Sequence, residues 1–307
     1  MDEFYQQLCS TLSDSQVLCN EMMSRHTTFR VGGPADYFIM PDIKQVKDVV
    51  ILCRKYQIPY QVVGNGSNLL VSDKGIRGAV IAFSGKYTKG IQVDREHMVV
   101  QAGALLSQAA NEAYQAGLGG LEFAAGIPGS VGGAVVMNAG AYGGEIKDVI
   151  VSVKALAKDG QIVTLSSNQM DFSYRHSCVP SSGLIVLEAE FVLQKKTKEE
   201  ICSLMEELKN RRIEKQPLEY PSAGSTFKRP VDHYAGKLIM DAGLAGFSLG
   251  GAQVSKKHCG FVINTGNATA SDIFALIQYI QHEVKRKFGI TLEMEVKCIG
   301  EFMDYNS

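Results

Sequence analysis

The chain has 307 residues, enough for two domains and a full-sized core. Hydrophobic residues make up 45% and charged residues 21%, and the formal net charge of −1 gives no electrostatic reason to expect nucleic acid or an anionic membrane as partner. Seven cysteines without a C-x-x-C pair supply neither a disulfide framework nor a zinc site, so no metal is expected.

The first ten residues, MDEFYQQLCS, lack a basic region followed by an apolar stretch, and no later segment approaches a membrane span, so a cytoplasmic protein is expected. Val46, Val49, Val50 and Cys53 recur at helical spacing, with Asp42 as N-cap and Ile58-Pro59 as the stop. Tyr60 to Val63 alternates as a strand and enters Gly64-Asn65-Gly66-Ser67-Asn68-Leu69-Leu70, after which Leu-Leu-Val again reads as a strand. The loop has Leu69 where the Rossmann fingerprint requires a sixth-position glycine opening a helix, so that fold is excluded and phosphates would be held by loops.

Strands are predicted at 78–82 and around 99–101, and a helix from Ser107 to Ala116 ending at Gly117. A second glycine-rich segment, Gly126 to Gly133, runs on to Asn138-Ala139-Gly140-Ala141-Tyr142-Gly143-Gly144. Glycine lets successive N–H groups approach one anion, and two such loops suggest a ligand with a diphosphate, which a nucleotide cofactor fits best. Residues 149–157 and 161–165 flank Lys158-Asp159-Gly160 as a hairpin, Ser173-Tyr174-Arg175-His176-Ser177 is a polar cluster, and 185–193 reads as a strand.

The charged run 194–200 is the best boundary, between domains 1–197 and 198–307, and opens a helix to about Arg212. Arg211 and Lys215 lie four apart, on one helical face. Beyond Pro221-Ser222-Ala223-Gly224-Ser225, short strands are expected around Ala252 and Phe261, then a helix from Ser271 to Phe288. In a final strand, 291–299, period-two geometry puts Glu293, Glu295 and Lys297 on one solvated face. The six histidines have no metal-ligand spacing and read as unpaired. Spacing alone gives a nucleotide-binding protein and little of its chemistry.

Six segments occur together and in order: Thr28-Phe29-Arg30-Val31-Gly32-Gly33-Pro34-Ala35-Asp36, Gly64 to Leu70, Gly126 to Gly144, Ser173-Tyr174-Arg175, Gly224-Ser225-Thr226-Phe227-Lys228 and Leu292-Glu293-Met294-Glu295-Val296. With them the chain resembles, over nearly its whole length, the UDP-N-acetylenolpyruvoylglucosamine reductases of peptidoglycan precursor synthesis. The resemblance implies an α+β protein: a two-subdomain FAD-binding domain of the vanillyl-alcohol-oxidase (PCMH) type, then a smaller α+β substrate domain. It also implies non-covalent FAD, NADPH as reductant, small-molecule substrates and a monomer.

Position by position, Gly64, Asn65, Gly66, Ser67, Asn68 and Leu69 resemble the family's first FAD loop, and Ser130, Gly133, Gly140, Ala141 and Tyr142 its second set of flavin contacts. Ser225 falls on the proton-donating serine, Arg175 and Glu295 on the other two catalytic positions, and Arg211 and Lys215 on residues that meet the substrate's anionic groups. Arg229 departs from the asparagine that many members carry after Phe-x-Lys. The stretch between Arg175 and Ser225 is too short for the tyrosine-bearing cap loop of type I members, so the chain looks like type II. Two alternatives stay open: a flavin-dependent alcohol oxidase or dehydrogenase, which would need a base in place of Ser225, and a non-catalytic UDP-sugar or flavin sensor.

Overall fold

The computed structural model describes residues 3–83 and 87–302. The chain packs as two compact units: one of residues 1–18, 37–65 and 78–212, the other of 19–36, 66–77 and 213–307. Each has its own core, one around Phe38-adjacent Ile39, Val49, Val100, Leu106 and Phe191, the other around Phe29, Leu70, Ile239, Ile277 and Val284.

In the first unit, the helix Val46–Lys55 buries the four residues whose spacing predicts it: Val46, Val49, Val50 and Cys53. Asp42 stands one turn earlier than a cap. Its Oδ1 accepts from the backbone N–H of Lys44 (2.8 Å) and Gln45 (3.0 Å), closing the turn that precedes the helix. Tyr60–Val63 then pairs in parallel with Ile76–Ala82. The helix Leu106–Gln115 stops, as its sequence predicts, with Gly117 at φ +68°.

The largest sheet has five antiparallel strands in the order Ile162–Ser166, Ile150–Leu156, Ile185–Val192, His97–Gln101, Ile91–Asp94. Its central strand, Ile185–Val192, carries mostly apolar side chains; it is flanked on both edges, and the helix Val131–Met137 packs against it. The predicted hairpin closes through Gly160 at φ +84°, with Ala157 N donating to Gln161 O at 2.8 Å. The helix Lys198–Lys215 runs one turn past Arg212. It opens on a capping box: Glu200 N donates to Thr197 Oγ1, while the Glu200 carboxylate accepts from Thr197 N (3.0 Å). The bond from Thr197 N and a second from Thr197 Oγ1 (2.8 Å) hold the Glu200 carboxyl below its usual pKa.

In the second unit, Leu69–Val71 pairs in parallel with Lys297–Ile299. The strands Ala252–Val254 and Val262–Asn264 form where expected, and the helix Ala270–Phe288 buries one apolar stripe. The predicted final strand is shorter than expected: only Lys297–Ile299 is a strand, and Met294 makes one isolated bridge with Phe227. Glu295 N and Val296 N both point at the Thr226 carbonyl (2.9 and 3.5 Å), which a pleated strand cannot do, so the alternation breaks. Glu295 turns inward and is 9% exposed, while Glu293 and Lys297 stay outside. The three do not share a solvated face.

Helix Ala270–Phe288 has two caps. Thr269 and Asp272 form a capping box, and Asp73 accepts from Ala270 N (2.8 Å), Ser271 N (2.9 Å) and Ser271 Oγ (2.6 Å). Asp73→Ala leaves two helix donors unmet and should cost about 1–2 kcal/mol. A Tm lower by about 2–4 °C is expected in thermal unfolding; an unchanged Tm would leave Thr269 as the sufficient cap.

Candidate active site

The two glycine-rich segments meet in the first unit. A Cβ on Gly64 would lie 2.1 Å from Ser130 Oγ, so only glycine allows this approach. Next to it, Asn65 Nδ2 donates to Pro128 O at 2.6 Å. Ser130 is 2% exposed and caps the helix Val131–Met137, its Oγ accepting from Gly133 N at 3.4 Å. The first loop lies between strands as expected, but the second opens a helix, so loops alone do not shape this region. The helix ends at Asn138, and Gly140–Ala141 pairs with Gly144–Glu145 around Tyr142 at φ +55°. A bulky residue in that conformation is strained.

Arg175 sits in a tight turn of the same unit. Ser173 and His176 bridge, enclosing Tyr174 and Arg175, and Arg175 is held at φ +54°. Its guanidinium lies 5.2 Å from the centre of the Tyr174 ring, and the arginine is half-buried rather than free on the surface. Glu145 feels its charge. The carboxyl of Glu145 is held below its usual pKa first by the hydrogen bond from Lys147, then by that from Asn138 and by the fields of Lys147 and Arg175.

In the second unit, Ser225 and Glu295 lie on neighbouring backbones. Thr226, fully buried, donates its N–H to Gly260 O and accepts Val262 N on its Oγ1 (3.0 Å), while its carbonyl takes Glu295 N. That fixes Ser225 one residue before an immobile anchor. Ser225 is half-buried and its hydroxyl has no hydrogen-bond partner among the described residues. The end of the first loop joins this cluster: Asn68 Nδ2 donates to Glu295 O (3.0 Å) and Lys297 N to Asn68 O (2.9 Å). Leu69 opens the strand that pairs with Lys297.

Of the cations in the C-terminal half of the helix Lys198–Lys215, Lys209 and Arg212 border a cleft, and only Arg212 is half-buried. Arg211 is 54% exposed and paired with Glu207, and Lys215 is exposed. Arg212, which spacing does not single out, is half-buried in a cleft of about 310 Å³ with Phe123, Gly126, Tyr142, Met205 and Leu208. Among the described residues it has no carboxylate partner, and burial pulls its pKa down. Its signal in the sequence is the stripe Ile201, Met205, Leu208, Arg212, apolar at helical spacing until its last member. The guanidinium of Arg229 covers the Tyr234 ring at 4.1 Å. Four histidines read as unpaired meet carboxylates: His26 with Glu21, His97 with Glu190, His176 with Asp171 and, more loosely, His282 with Glu283, at 2.9, 2.9, 3.2 and 4.0 Å.

Residues 216–299 match the C-terminal domain of UDP-N-acetylenolpyruvoylglucosamine reductase, and residues 34–166 an FAD binding domain. The UDP-N-acetylenolpyruvoylglucosamine reductase of Agathobacter rectalis is 54% identical over 311 residues, covering 97% of this chain and 99% of its own. The chain belongs to the UDP-N-acetylenolpyruvoylglucosamine reductase family. The Clostridium botulinum (strain 657) reductase is also 54% identical, over 97% of both chains. The crystal structure of the Thermus caldophilus reductase superposes with a TM-score of 0.77 at 36% identity, covering 91% of this chain and 98% of that one. The fold is accordingly the expected α+β one with a flavin-binding domain, and the protein is an FAD-dependent oxidoreductase. No helix among the described residues is long and apolar enough to cross a membrane.

The residues present fit FAD. Among the described residues, the backbone N–H groups of Asn65, Gly66 and Ser67 have no acceptor within the chain, and the buried Thr28 Oγ1, whose own N–H bonds Gly66 O, has no partner. Such unmet donors beside a glycine loop suit an anionic, polar ligand. Gly64→Ala would drive a methyl group into Ser130 Oγ and break that cap or part the loops. Overpacking of this kind costs about 1–3 kcal/mol. The flavin-free variant should unfold at a lower temperature than the flavin-free parent, and equal temperatures would show that Ser130 gives way freely.

Proposed function

We propose that the protein uses NADPH to reduce the enolpyruvyl group of UDP-N-acetylglucosamine enolpyruvate, giving UDP-N-acetylmuramate, as a cytoplasmic monomer of type II. Residues 1–197 would form its FAD-binding part and 198–307 its substrate-binding part. The observation that carries the reading is the Ser225 hydroxyl, which has no hydrogen-bond partner among the described residues and stands one residue before Thr226, whose carbonyl takes the N–H of buried Glu295.

FAD, held by Gly64, Asn65, Gly66, Ser67, Asn68 and Leu69 with Ser130, Gly133, Gly140, Ala141 and Tyr142, would supply the hydride to the terminal enolpyruvyl carbon. An enol ether resists hydride unless charge on the neighbouring carbon and carboxylate is stabilised. Arg175 offers an always-charged fork to that carboxylate, and its turn holds the fork in advance of the reaction. The enolate then takes the Ser225 hydroxyl proton at the carbon next to the carboxylate, and the serine oxygen regains a proton from solvent. A serine hydroxyl is a weak acid, yet a transient enolate in contact is basic enough to take its proton. Glu295, buried on the adjoining backbone, orients this network. Arg211 and Lys215 would meet the diphosphate or carboxylate of the substrate, and Arg212 is a third cation of that helix end.

Ser225→Ala should leave flavin reduction by NADPH near its normal rate, followed as bleaching in stopped flow. Reoxidation by the enolpyruvyl sugar should slow by about 10²–10⁴. Normal reoxidation would return Ser225 to a turn residue. Lys215→Ala should raise the KM for the UDP-sugar roughly ten- to a hundred-fold, the worth of a lost charged hydrogen bond of about 1.5–3 kcal/mol, with the reductive half-reaction intact. If KM does not move, the lysine belongs to the solvated face of its helix.

A further inference from the structure

We infer that Asn138 is a positioning residue for Arg175: its side-chain amide clips the turn that carries the guanidinium onto the end of the helix Val131–Met137. This rests on the reading of Arg175 as catalytic.

Asn138 closes the helix in the left-handed conformation, φ +41° and ψ +56°. If capping were its whole role, glycine would serve better and an asparagine side chain would face water. Instead the residue is 1% exposed and its amide is fully engaged. Nδ2 donates to Glu145 Oε2 (2.9 Å) and to Ser173 O (3.1 Å), and Oδ1 accepts Lys147 N (3.0 Å).

Ser173 is the first residue of the bridge that encloses Tyr174 and Arg175. Just past the other end, Ser177, 1% exposed, donates its Oγ to Val136 O at 2.8 Å. The Arg175 turn is therefore fastened on both sides to one helix end. An arginine at positive φ persists only where its surroundings over-determine it. Asn138 contributes twice: it holds the backbone entering the turn, and it holds Glu145, the carboxylate that lies in the field of Arg175. Removing the amide would free the fork to wander, and a misplacement of about 1 Å can cost roughly a hundred-fold in rate.

The test is a double-mutant cycle on the holoenzyme, using Asn138→Gly, which keeps the left-handed cap while deleting the side chain. Asn138→Gly alone should slow reoxidation by the enolpyruvyl sugar about ten- to a hundred-fold, with flavin content and the rate of flavin reduction by NADPH near normal. In an Arg175→Ala background the same change should add little, because the group it positions is gone. Asn138→Asp, of the same shape but without the donor, should be as slow as Asn138→Gly. A normal reoxidation rate in Asn138→Gly overturns the inference, as does an equal, additive loss in both backgrounds. If Arg175→Ala itself reoxidises normally, the catalytic reading of Arg175 fails, and the inference with it. If Asn138→Gly does not bind flavin, the same cycle is run with Asn138→Asp, and the same outcomes decide.

Discussion

The first unit depends on the contact between Gly64 and Ser130. One glycine α-carbon lies so close to a buried serine hydroxyl that no side chain fits between them. That contact joins two segments far apart in sequence, and Asn65 reinforces it on the Pro128 carbonyl. The same hydroxyl starts the helix Val131–Met137, so the approach of the loops and the birth of the helix are one event. Everything that the helix carries at its other end inherits its position. Asn138, Ser177 and the Arg175 turn follow from where Ser130 stands.

The second unit uses a different device. Thr226 spends its N–H and hydroxyl on the 260–262 segment and its carbonyl on a second one, where it gathers two successive N–H groups from residues 295 and 296. The resulting kink turns a glutamate inward beside Ser225 without burying an unmet backbone group. One unit thus presents a cation on a strained turn, and the other a hydroxyl and a carboxylate on two backbone segments that Thr226 ties together.

Elements with a strong internal period were legible in the sequence. Val46 to Cys53 and the stripe of the helix Ala270–Phe288 repeat often enough for one face to be certain, and Gly117 and Gly160 mark their turns by backbone sterics alone. The 291–299 segment was not legible, because its alternation is broken by an acceptor on Thr226, a residue far away in the chain. Arg211 and Lys215 share a face by spacing, yet which side of their helix is covered depends on Gly126 and Tyr142, and the covered cation is Arg212. The positions proposed as catalytic were read only through the family resemblance: nothing in the spacing of Arg175, Ser225 and Glu295 marks them. The local turn that fixes Arg175 and the kink that buries Glu295 are made by partners that a linear reading does not connect.

The pairing of Leu69–Val71 with Lys297–Ile299 bears on how the protein is made. Ser72 Oγ donates to Glu301 O across 229 residues of sequence, and Asn68 reaches Glu295 across 227. Closing such distant contacts is entropically costly and slow. On a ribosome, the early segments of the second unit emerge long before the strand that completes them. They must wait through synthesis of the whole five-stranded sheet with their Leu69–Val71 edge unpaired, a period in which an exposed strand invites association with other chains. The molecule is therefore most exposed to aggregation during its own synthesis, and a chaperone that shields the nascent 66–77 segment would act where the topology leaves it open.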